Sequence, residues 1–435
     1  ALKDVRDGHD FVKGAFERGA AAALVSRAPD DTPDGAPLLV VGDTLEGLRA
    51  LARAARRRNF GKRIGVTGSA GKTSVKEMLR TALAGSGSVH AADRSFNNHW
   101  GVPLTLARLP MGADYAVVEI GMNHAGEITP LTRLVQPHVA IVTTVAAAHL
   151  EFFGTTEKIA EAKAEIFLGV GPEGAAVLPI DNEHYALLRK RAEEAGLRRF
   201  LTFGQHKDAD LRLVDYALKG ETGAIKATIS GKPVSYALGA PGLHQAVNSL
   251  AVLAAILAID APLEPAIAAL ARHQPAEGRG ARRDIVLAGG GRATLIDESY
   301  NANPASMAAA FALLGATKPR GKGRRIAVLG DMLELGPKGP GLHASLAAGL
   351  AAARVDRLFV AGPLMRHLFD AAPAAMRAAA APAASDLLGA VLAELQDGDI
   401  VMVKGSNGSK VSLVARALET NDSGRLKAAE ASRGF

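Results

Sequence analysis

The sequence predicts an α/β protein with three domains, each built on a sheet flanked by helices. Short apolar runs of strand length alternate with helical segments through most of the chain. A length of 435 residues suggests about three domains rather than one. Alanine is abundant and only 4% of the residues are aromatic, which is typical of helices packed on sheets.

We expect a small N-terminal α/β domain over residues 1–60, which ends with an arginine-rich helix predicted at 44–58. The chain begins without methionine and enters directly into patterned sequence. We therefore expect this domain to be incomplete here.

The central domain is predicted over residues 61–275, with a parallel sheet. A β-rich excursion is expected at 208–239, and a buried helix at 246–259 because Asn248 and Ser249 interrupt that apolar run. Its parallel strands are predicted at 64–66, 116–119, 140–143 and 175–178.

A Rossmann-like C-terminal domain is predicted over residues 276–435. The Ala- and Pro-rich segment 371–385 is expected to form a surface helix and loop, and the polar residues after 420 a mobile tail. Its strands are predicted at 294–297, 325–329, 357–360 and 400–403.

Composition excludes several classes of protein. Without cysteine the chain has no disulfide, thiolate zinc site or cysteine nucleophile. A net charge of +7, without long runs of like charge, gives no support for nucleic-acid binding and suits a substrate that carries phosphates and carboxylates. No apolar run is long enough for a membrane span and no secretory leader is visible, so we expect a cytoplasmic protein.

A glycine-rich turn between a strand and a helix predicts a phosphate-binding loop. Its backbone N–H groups and the helix start would face phosphate oxygens, Lys72 would add a charge, and the Thr73 hydroxyl is placed for Mg²⁺. The usual motif has glycine where this chain has Val66, so the loop is a variant; the alternative is an ordinary turn with a solvated lysine. We predict a P-loop-type domain that binds ATP or GTP, with nucleotide-binding residues that include Thr67, Gly68, Ser69, Ala70, Gly71, Lys72, Thr73 and Ser74.

Three further residues could complete such a site. Glu119 ends a predicted strand, at the sheet edge where ligands bind in parallel sheets, although it could simply cap the next loop. His149 follows another strand and could be structural. Lys163 lies beside the apolar face of a predicted helix, where it could be an ordinary snorkelling residue or point to the phosphates.

The variant loop together with Glu119, His149 and Lys163 resembles the ATP-dependent Mur ligases of peptidoglycan synthesis. The resemblance extends over all three domains and is strongest to the members that add D-alanyl-D-alanine to UDP-N-acetylmuramoyl-tripeptide. Six ordered blocks carry it, at residues 7–12, 96–106, 121–128, 299–304, 329–336 and 403–406.

The resemblance implies ATP and two Mg²⁺ ions. Thr73 and Glu119 would hold one ion, and His149 with a CO₂-derived carbamate on Lys163 the other. A carbamate is a hard oxygen donor, as Mg²⁺ requires, whereas a free ammonium is not. Lys72, Lys163 and His149 are then the expected catalytic residues.

Other assignments by resemblance fall in the C-terminal domain. Arg279 would reach the ATP phosphates, although it could be a linker arginine. Asn303 and Asp297 would contact adenosine, and Asn303 could also cap a helix. The family usually has two aspartates where this chain has Asp297 and Glu298, which leaves open the carboxylate that faces the nucleotide. Asp331 and His343 are candidates for contacts with the dipeptide. Lys404 lies at the end of a predicted strand and is left without an assigned role.

The implied reaction is a two-step ligation through an acyl phosphate. We expect the enzyme to be a monomer that closes on its substrates. The tripeptide carboxylate attacks the γ-phosphate of ATP, and the amine of D-alanyl-D-alanine then displaces phosphate. The alternatives are another amino-acid ligase of this architecture, such as a folylpolyglutamate synthase, or a nucleotide-dependent switch or motor.

Overall fold

The computed structural model describes residues 7–287 and 290–420. It contains three sheets, in the order of the three predicted domains. The predicted limits at residues 60 and 275 fall in connections between elements and stay predictions. The tail after 420 and the first six residues lie outside the described part.

The N-terminal sheet has two parallel strands, β1 and β2. An Asp43 side chain caps the arginine-rich helix α2, and Ala52 and Ala55 face the core from it. The elements are α1 Val12–Glu17, β1 Ala23–Val25, β2 Leu38–Val40 and α2 Thr44–Arg58.

The central sheet has nine strands in the order β11-β10-β9-β8-β7-β6-β3-β5-β4. The seven strands β3 to β9 form the parallel part of this sheet. Strands β9, β10 and β11 form an antiparallel meander, which confirms the predicted β-rich excursion. The strands are β3 Lys62–Thr67, β4 Val89–Ala91, β5 Tyr115–Glu119, β6 Val139–Val142, β7 Ala175–Pro179, β8 Arg199–Gly204, β9 Leu211–Lys219, β10 Thr222–Ile229 and β11 Lys232–Leu238.

Helices cover both faces of this sheet. The buried helix predicted at 246–259 is α9, whose residues are almost all inaccessible to solvent. The helices are α3 Lys72–Leu83, α4 Gly101–Ala107, α5 Ile128–Val135, α6 Leu150–Phe153, α7 Thr156–Ala164, α8 Tyr185–Glu194, α9 Leu243–Ala258 and α10 Leu263–Leu270.

The C-terminal sheet has six strands in the order β12-β13-β17-β14-β15-β16, all parallel except β12. One apolar cluster runs from the central domain into this one and includes Leu150 and Leu335. The strands are β12 Ala281–Val286, β13 Arg292–Glu298, β14 Arg325–Gly330, β15 Arg357–Ala361, β16 Arg377–Ala381 and β17 Ile400–Lys404. The helices are α11 Pro304–Ala316, α12 Gly339–Ala344, α13 Ala347–Ala352, α14 Met365–Ala371, α15 Ala384–Glu394 and α16 Ser412–Thr420.

The prediction of a surface helix and loop at 371–385 is wrong. Residues 377–381 form β16, the edge strand of this sheet, in parallel register with β15. Alanine favours helix locally, but the open edge of β15 offers backbone hydrogen bonds that decide the conformation. Among the helices that the structure describes, none is long and apolar enough to cross a membrane.

Candidate active site

The phosphate loop lies between β3 and α3, at the carboxyl edge of the central sheet. Gly71 precedes α3 with φ +85°, and Gly68 has φ +149°. A Cβ atom on Gly68 would lie 1.9 Å from Thr143 Oγ1, so the loop accepts only glycine there. The Lys72 ammonium folds back and donates to the Gly68 carbonyl at 2.6 Å. Desolvation lowers the pKa of Lys72, and the nearby Glu119 carboxylate opposes this shift.

Two of the predicted magnesium ligands are in direct contact. Thr73 Oγ1 donates to Glu119 Oε2 at 2.7 Å, and the other carboxylate oxygen accepts from Asn97 Nδ2 at 2.7 Å. Ser95 Oγ lies 3.0 Å from Thr73 Oγ1. The carboxyl ends of β3 and β5 meet at this point because the strands are parallel neighbours. A hydroxyl and a carboxylate oxygen beside a phosphate loop fit a Mg²⁺ ion in donor chemistry and position.

Lys163 lies on α7 and is only 2% exposed. Burial holds the pKa of Lys163 well below its usual range, and the Lys72 ammonium contributes a smaller shift in the same direction. Within the described chain its amine has no hydrogen-bond or ion-pair partner. The lysine is therefore buried near the phosphate loop rather than snorkelling to solvent.

His149 immediately precedes α6, and its ring does not line the cavity of the site. Its Nδ1 atom is hydrogen bonded to Glu334, a residue of the C-terminal domain. Across residues 7–287 and 290–420, no three histidine, aspartate or glutamate side chains are grouped to hold a metal ion. The structure thus joins Thr73 to Glu119 but does not bring His149 to them.

The C-terminal domain contributes Arg279 and Asn303 to the same region. Arg279 Nη2 donates to Ser95 Oγ at 3.2 Å, and the guanidinium lies 4.0 Å from the centre of the Tyr300 ring. Asn303 caps α11 through Ser306 and also donates from Nδ2 to the Ser69 carbonyl at 3.1 Å. Asn303 therefore contacts the phosphate loop directly, whereas Arg279 contacts Ser95, which lies against Thr73.

The structure places the carboxylates of Asp297 and Glu298 in different surroundings. The Asp297 carboxylate is buried and accepts from the backbone N–H groups of Gly278 and Ser299, so it braces the domain junction. It does not line the cavity, contrary to the expectation of a nucleotide contact, whereas Glu298 does. Lys404 is the register partner of Glu298 on β17 and also faces the cavity.

The expectation that Asp331 and His343 face the dipeptide does not fit their contacts. Asp331 accepts from the N–H groups of Leu364 and Met365, at the start of α14. The His343 ring is fully buried, with Nε2 accepting from the Met332 N–H and Nδ1 facing the Gly339 carbonyl at 2.7 Å. The hydrogen bonds of both side chains therefore hold the loop after β14 in place.

These elements enclose a cavity of about 740 Å³ between the central and C-terminal domains. The cavity extends past the phosphate loop to the start of α9 and to the helix α11. Sequence reasoning missed several of its polar and aromatic residues: Ser95, Asn97, His244, Gln245, Asn248 and Tyr300. A signal was present for Asn248, because a polar residue inside an apolar helix requires a partner or a ligand.

Comparison with known proteins covers the two domains that form this cavity. Residues 66–256 match the Mur ligase middle domain, and residues 282–407 match the Mur ligase, glutamate ligase domain. The UDP-N-acetylmuramoyl-tripeptide–D-alanyl-D-alanine ligase of Escherichia coli K12 is 36% identical, over 97% of this chain and 90% of the relative. The enzyme of the same name from Bacillus subtilis is 33% identical, over 95% and 88%.

Solved structures are similar over the same span. A crystal structure of MurF from Acinetobacter baumannii superposes with a TM-score of 0.83 at 30% identity, covering 97% of this chain and 90% of the other. MurF ligase from Thermotoga maritima in complex with ADP gives a TM-score of 0.81 at 27% identity, covering 97% and 93%. The chain therefore belongs to the Mur ligase family, among the UDP-N-acetylmuramoyl-tripeptide–D-alanyl-D-alanine ligases.

Proposed function

We propose that this chain is an ATP-dependent ligase that joins D-alanyl-D-alanine to UDP-N-acetylmuramoyl-tripeptide in peptidoglycan precursor synthesis. The observation that carries the proposal is the cavity shared by two domains, where a phosphate loop faces cationic side chains of the other domain. Relatives that match more than nine tenths of the chain are named for this ligation. Their substrates also fit the basic bias of the sequence.

The reaction needs control of charge. A carboxylate that approaches a triphosphate meets strong repulsion, which Lys72 from the loop and Arg279 from the C-terminal domain offset. Mg²⁺, when bound, neutralises phosphate oxygens and aligns the reacting groups. Thr73 and Glu119 would hold one such ion, with Asn97 keeping the carboxylate in place.

The chemistry proceeds in two steps. A tripeptide carboxylate oxygen bonds to the γ-phosphorus while the bond to the β–γ bridging oxygen breaks, which gives an acyl phosphate and ADP. The dipeptide amine then attacks the acyl carbon, loses a proton, and phosphate leaves with the electrons of the carbon–oxygen bond. Each step keeps its charges inside the cavity, away from water.

Lys163 supports the predicted carbamate. CO₂ adds only to a neutral amine, and a buried lysine with a lowered pKa supplies one. Addition forms an N–C bond, opens one C=O π bond of CO₂ and releases one proton from the nitrogen, so the neutral amine becomes an anion that the Lys72 ammonium attracts. His149 and the modified Lys163 would hold the second ion. We also propose that the enzyme is a monomer, and nucleotide-linked substrates favour a cytoplasmic location.

The direct test measures phosphate release and product mass with ATP, UDP-N-acetylmuramoyl-tripeptide and D-alanyl-D-alanine. Pentapeptide should form only when all three are present, and Lys72→Ala should abolish it. Lys62→Ala is the matched control, because Lys62 is an exposed lysine on β3. Ligation of a diamino acid instead of the dipeptide, or ATP hydrolysis stimulated by nucleic acid, would overturn the proposal.

The carbamate has a separate test. Lys163→Ala should lose ligation and regain part of it with a short-chain carboxylic acid, which replaces the missing carboxylate. Lys158→Ala, an exposed lysine on the same helix, should behave as the wild type. Full activity of Lys163→Ala without added acid removes the carbamate from the mechanism.

A further inference from the structure

A pair of side chains from two domains meets beside the proposed second ion site. His149 Nδ1 lies 2.5 Å from Glu334 Oε2. The backbone of the same segments is joined as well, because the Glu151 N–H donates to the Glu334 carbonyl at 3.0 Å. The loop that follows β14 is therefore held against the residues that begin α6.

The backbone at this contact adopts conformations that need support. His149 and Glu334 both have positive φ, +57° and +62°, although neither is glycine. Non-glycine residues in this conformation are strained and persist where the surroundings fix them. Gly336, at φ +58°, approaches so closely that a Cβ atom would lie 3.2 Å from Glu151 Cα. The sequence thus accepts strain on both sides to make this contact.

We infer that Glu334 is a positioning residue that fixes the tautomer of His149. A carboxylate accepts a hydrogen bond from Nδ1–H, which leaves the lone pair of the neutral ring on Nε2. In the part of the chain that the structure describes, Nε2 has no hydrogen-bond partner. A carboxylate behind a metal-binding histidine orients the ring and raises its basicity. This inference rests on the proposed role of His149 as an ion ligand.

The position of Glu334 adds a consequence for the domains. His149, the proposed ion ligand, belongs to the central domain, and Glu334, whose carboxylate orients it, belongs to the C-terminal domain. The ring is therefore fully oriented only while the two domains are in contact. Ion affinity and domain contact are then linked, and linkage is reciprocal. An ion that binds the oriented ring more tightly must stabilise the domain contact by the same factor.

Mn²⁺ is the probe for the test, measured by electron paramagnetic resonance on the full chain saturated with a non-hydrolysable ATP analogue. Glu334→Ala should weaken the site that depends on His149 by about 10- to 100-fold. Glu334→Gln keeps an acceptor oxygen and should retain most of the affinity. Glu151→Gln removes a nearby charge but keeps the backbone N–H through which residue 151 contacts Glu334, so its affinity should be that of the wild type.

Two further readouts report on the mechanism of the effect. Nitrogen chemical shifts of His149 should show the Nδ1–H tautomer in the wild type and a mixture in Glu334→Ala. X-ray scattering should show compaction on addition of Mn²⁺ and the analogue in the wild type, and less compaction in Glu334→Ala. An identical tautomer in the two proteins would overturn the inference.

His149→Ala separates the two proposals. If it leaves every Mn²⁺ site unchanged, the proposed ligand role of His149 fails. If it removes a site that Glu334→Ala leaves at full affinity, the ligand role stands and the role of Glu334 is refuted. Melting temperature identifies any variant that is unfolded, in which case the Gln variant and its tautomer decide.

Discussion

Replacing Arg279 with alanine tests whether the C-terminal domain supplies a charge for the triphosphate. The guanidinium donates to Ser95 Oγ, which in turn lies 3.0 Å from the Thr73 hydroxyl. It also lies over the Tyr300 ring. Arg279 is thus two hydrogen bonds away from the residue that we propose as a magnesium ligand.

The size of the effect follows from these contacts. A hydrogen bond to a charged group contributes about 1.5–3 kcal/mol, and each 1.36 kcal/mol is a factor of ten in rate, so kcat/KM for ATP should fall about 10- to 150-fold. Loss of the contact with Tyr300 removes about 0.5–1 kcal/mol of interaction within the C-terminal domain and should scarcely change the melting temperature.

The assay is phosphate release as a function of ATP concentration, together with ATP binding followed by tryptophan fluorescence. Trp100 is the only tryptophan of the chain and lies in the loop that carries Ser95. Arg283→Ala is the control, since Arg283 is a nearby exposed arginine paired with Glu419 at 2.6 Å. Equal losses in both variants would show a general field effect, and no loss in Arg279→Ala would refute the assignment.

Three other substitutions test separate parts of the structure. Asn303→Ala should lower kcat/KM and should also lower stability by about 1 kcal/mol, because the helix cap is lost. Asn303→Asp keeps the cap but loses the donor to the Ser69 carbonyl, so it should lower kcat/KM alone. Equal kinetics in the wild type and both variants would contradict this. Burial lowers the pKa of His273 to about 4, so the unfolded state binds more protons than the folded state between about pH 4 and 6.5, and stability falls as the pH drops through that window. In denaturant titrations, His273→Gln should reduce the slope of stability against pH by up to about 1.4 kcal/mol per pH unit. An unchanged slope would contradict the lowered pKa. Gly68→Ala should abolish the fluorescence response to ATP because its Cβ would collide with Thr143, while Gly112→Ala, which meets nothing within 4 Å, should respond normally; a normal response of both would contradict the argument.

The parallel sheets and the phosphate loop could be predicted because their signals are local. Apolar runs bounded by turns define the strands, and glycine at the loop positions has a steric reason that sequence reveals. The contact between Thr73 and Glu119 could also be predicted, since the carboxyl ends of neighbouring parallel strands share one edge. β16 could not, because a run of alanines has no strand preference and its conformation is set by pairing with β15.

Side-chain direction is the part of the site that local pattern does not contain. Successive residues of a strand point to opposite faces, so Asp297 and Glu298 cannot both enter the cavity, and only the register with β17 decides that Glu298 does. Asp331 and His343 show the same limit. Their blocks resemble the family, yet each side chain turns inward to hold a loop.

Among the described residues, three side-chain hydrogen bonds join the C-terminal domain to the central domain, and each meets a different part of the proposed machinery. Arg279 contacts Ser95, and Asn303 contacts Ser69 of the phosphate loop. The third joins Glu334 to His149. Since all three belong to one domain, separating the domains would break them together, and the triphosphate charge, the loop and the ion ligand would lose support at once. We therefore expect such a ligase to activate its carboxylate only with both domains in place, which would protect the acyl phosphate from water until the dipeptide amine is bound.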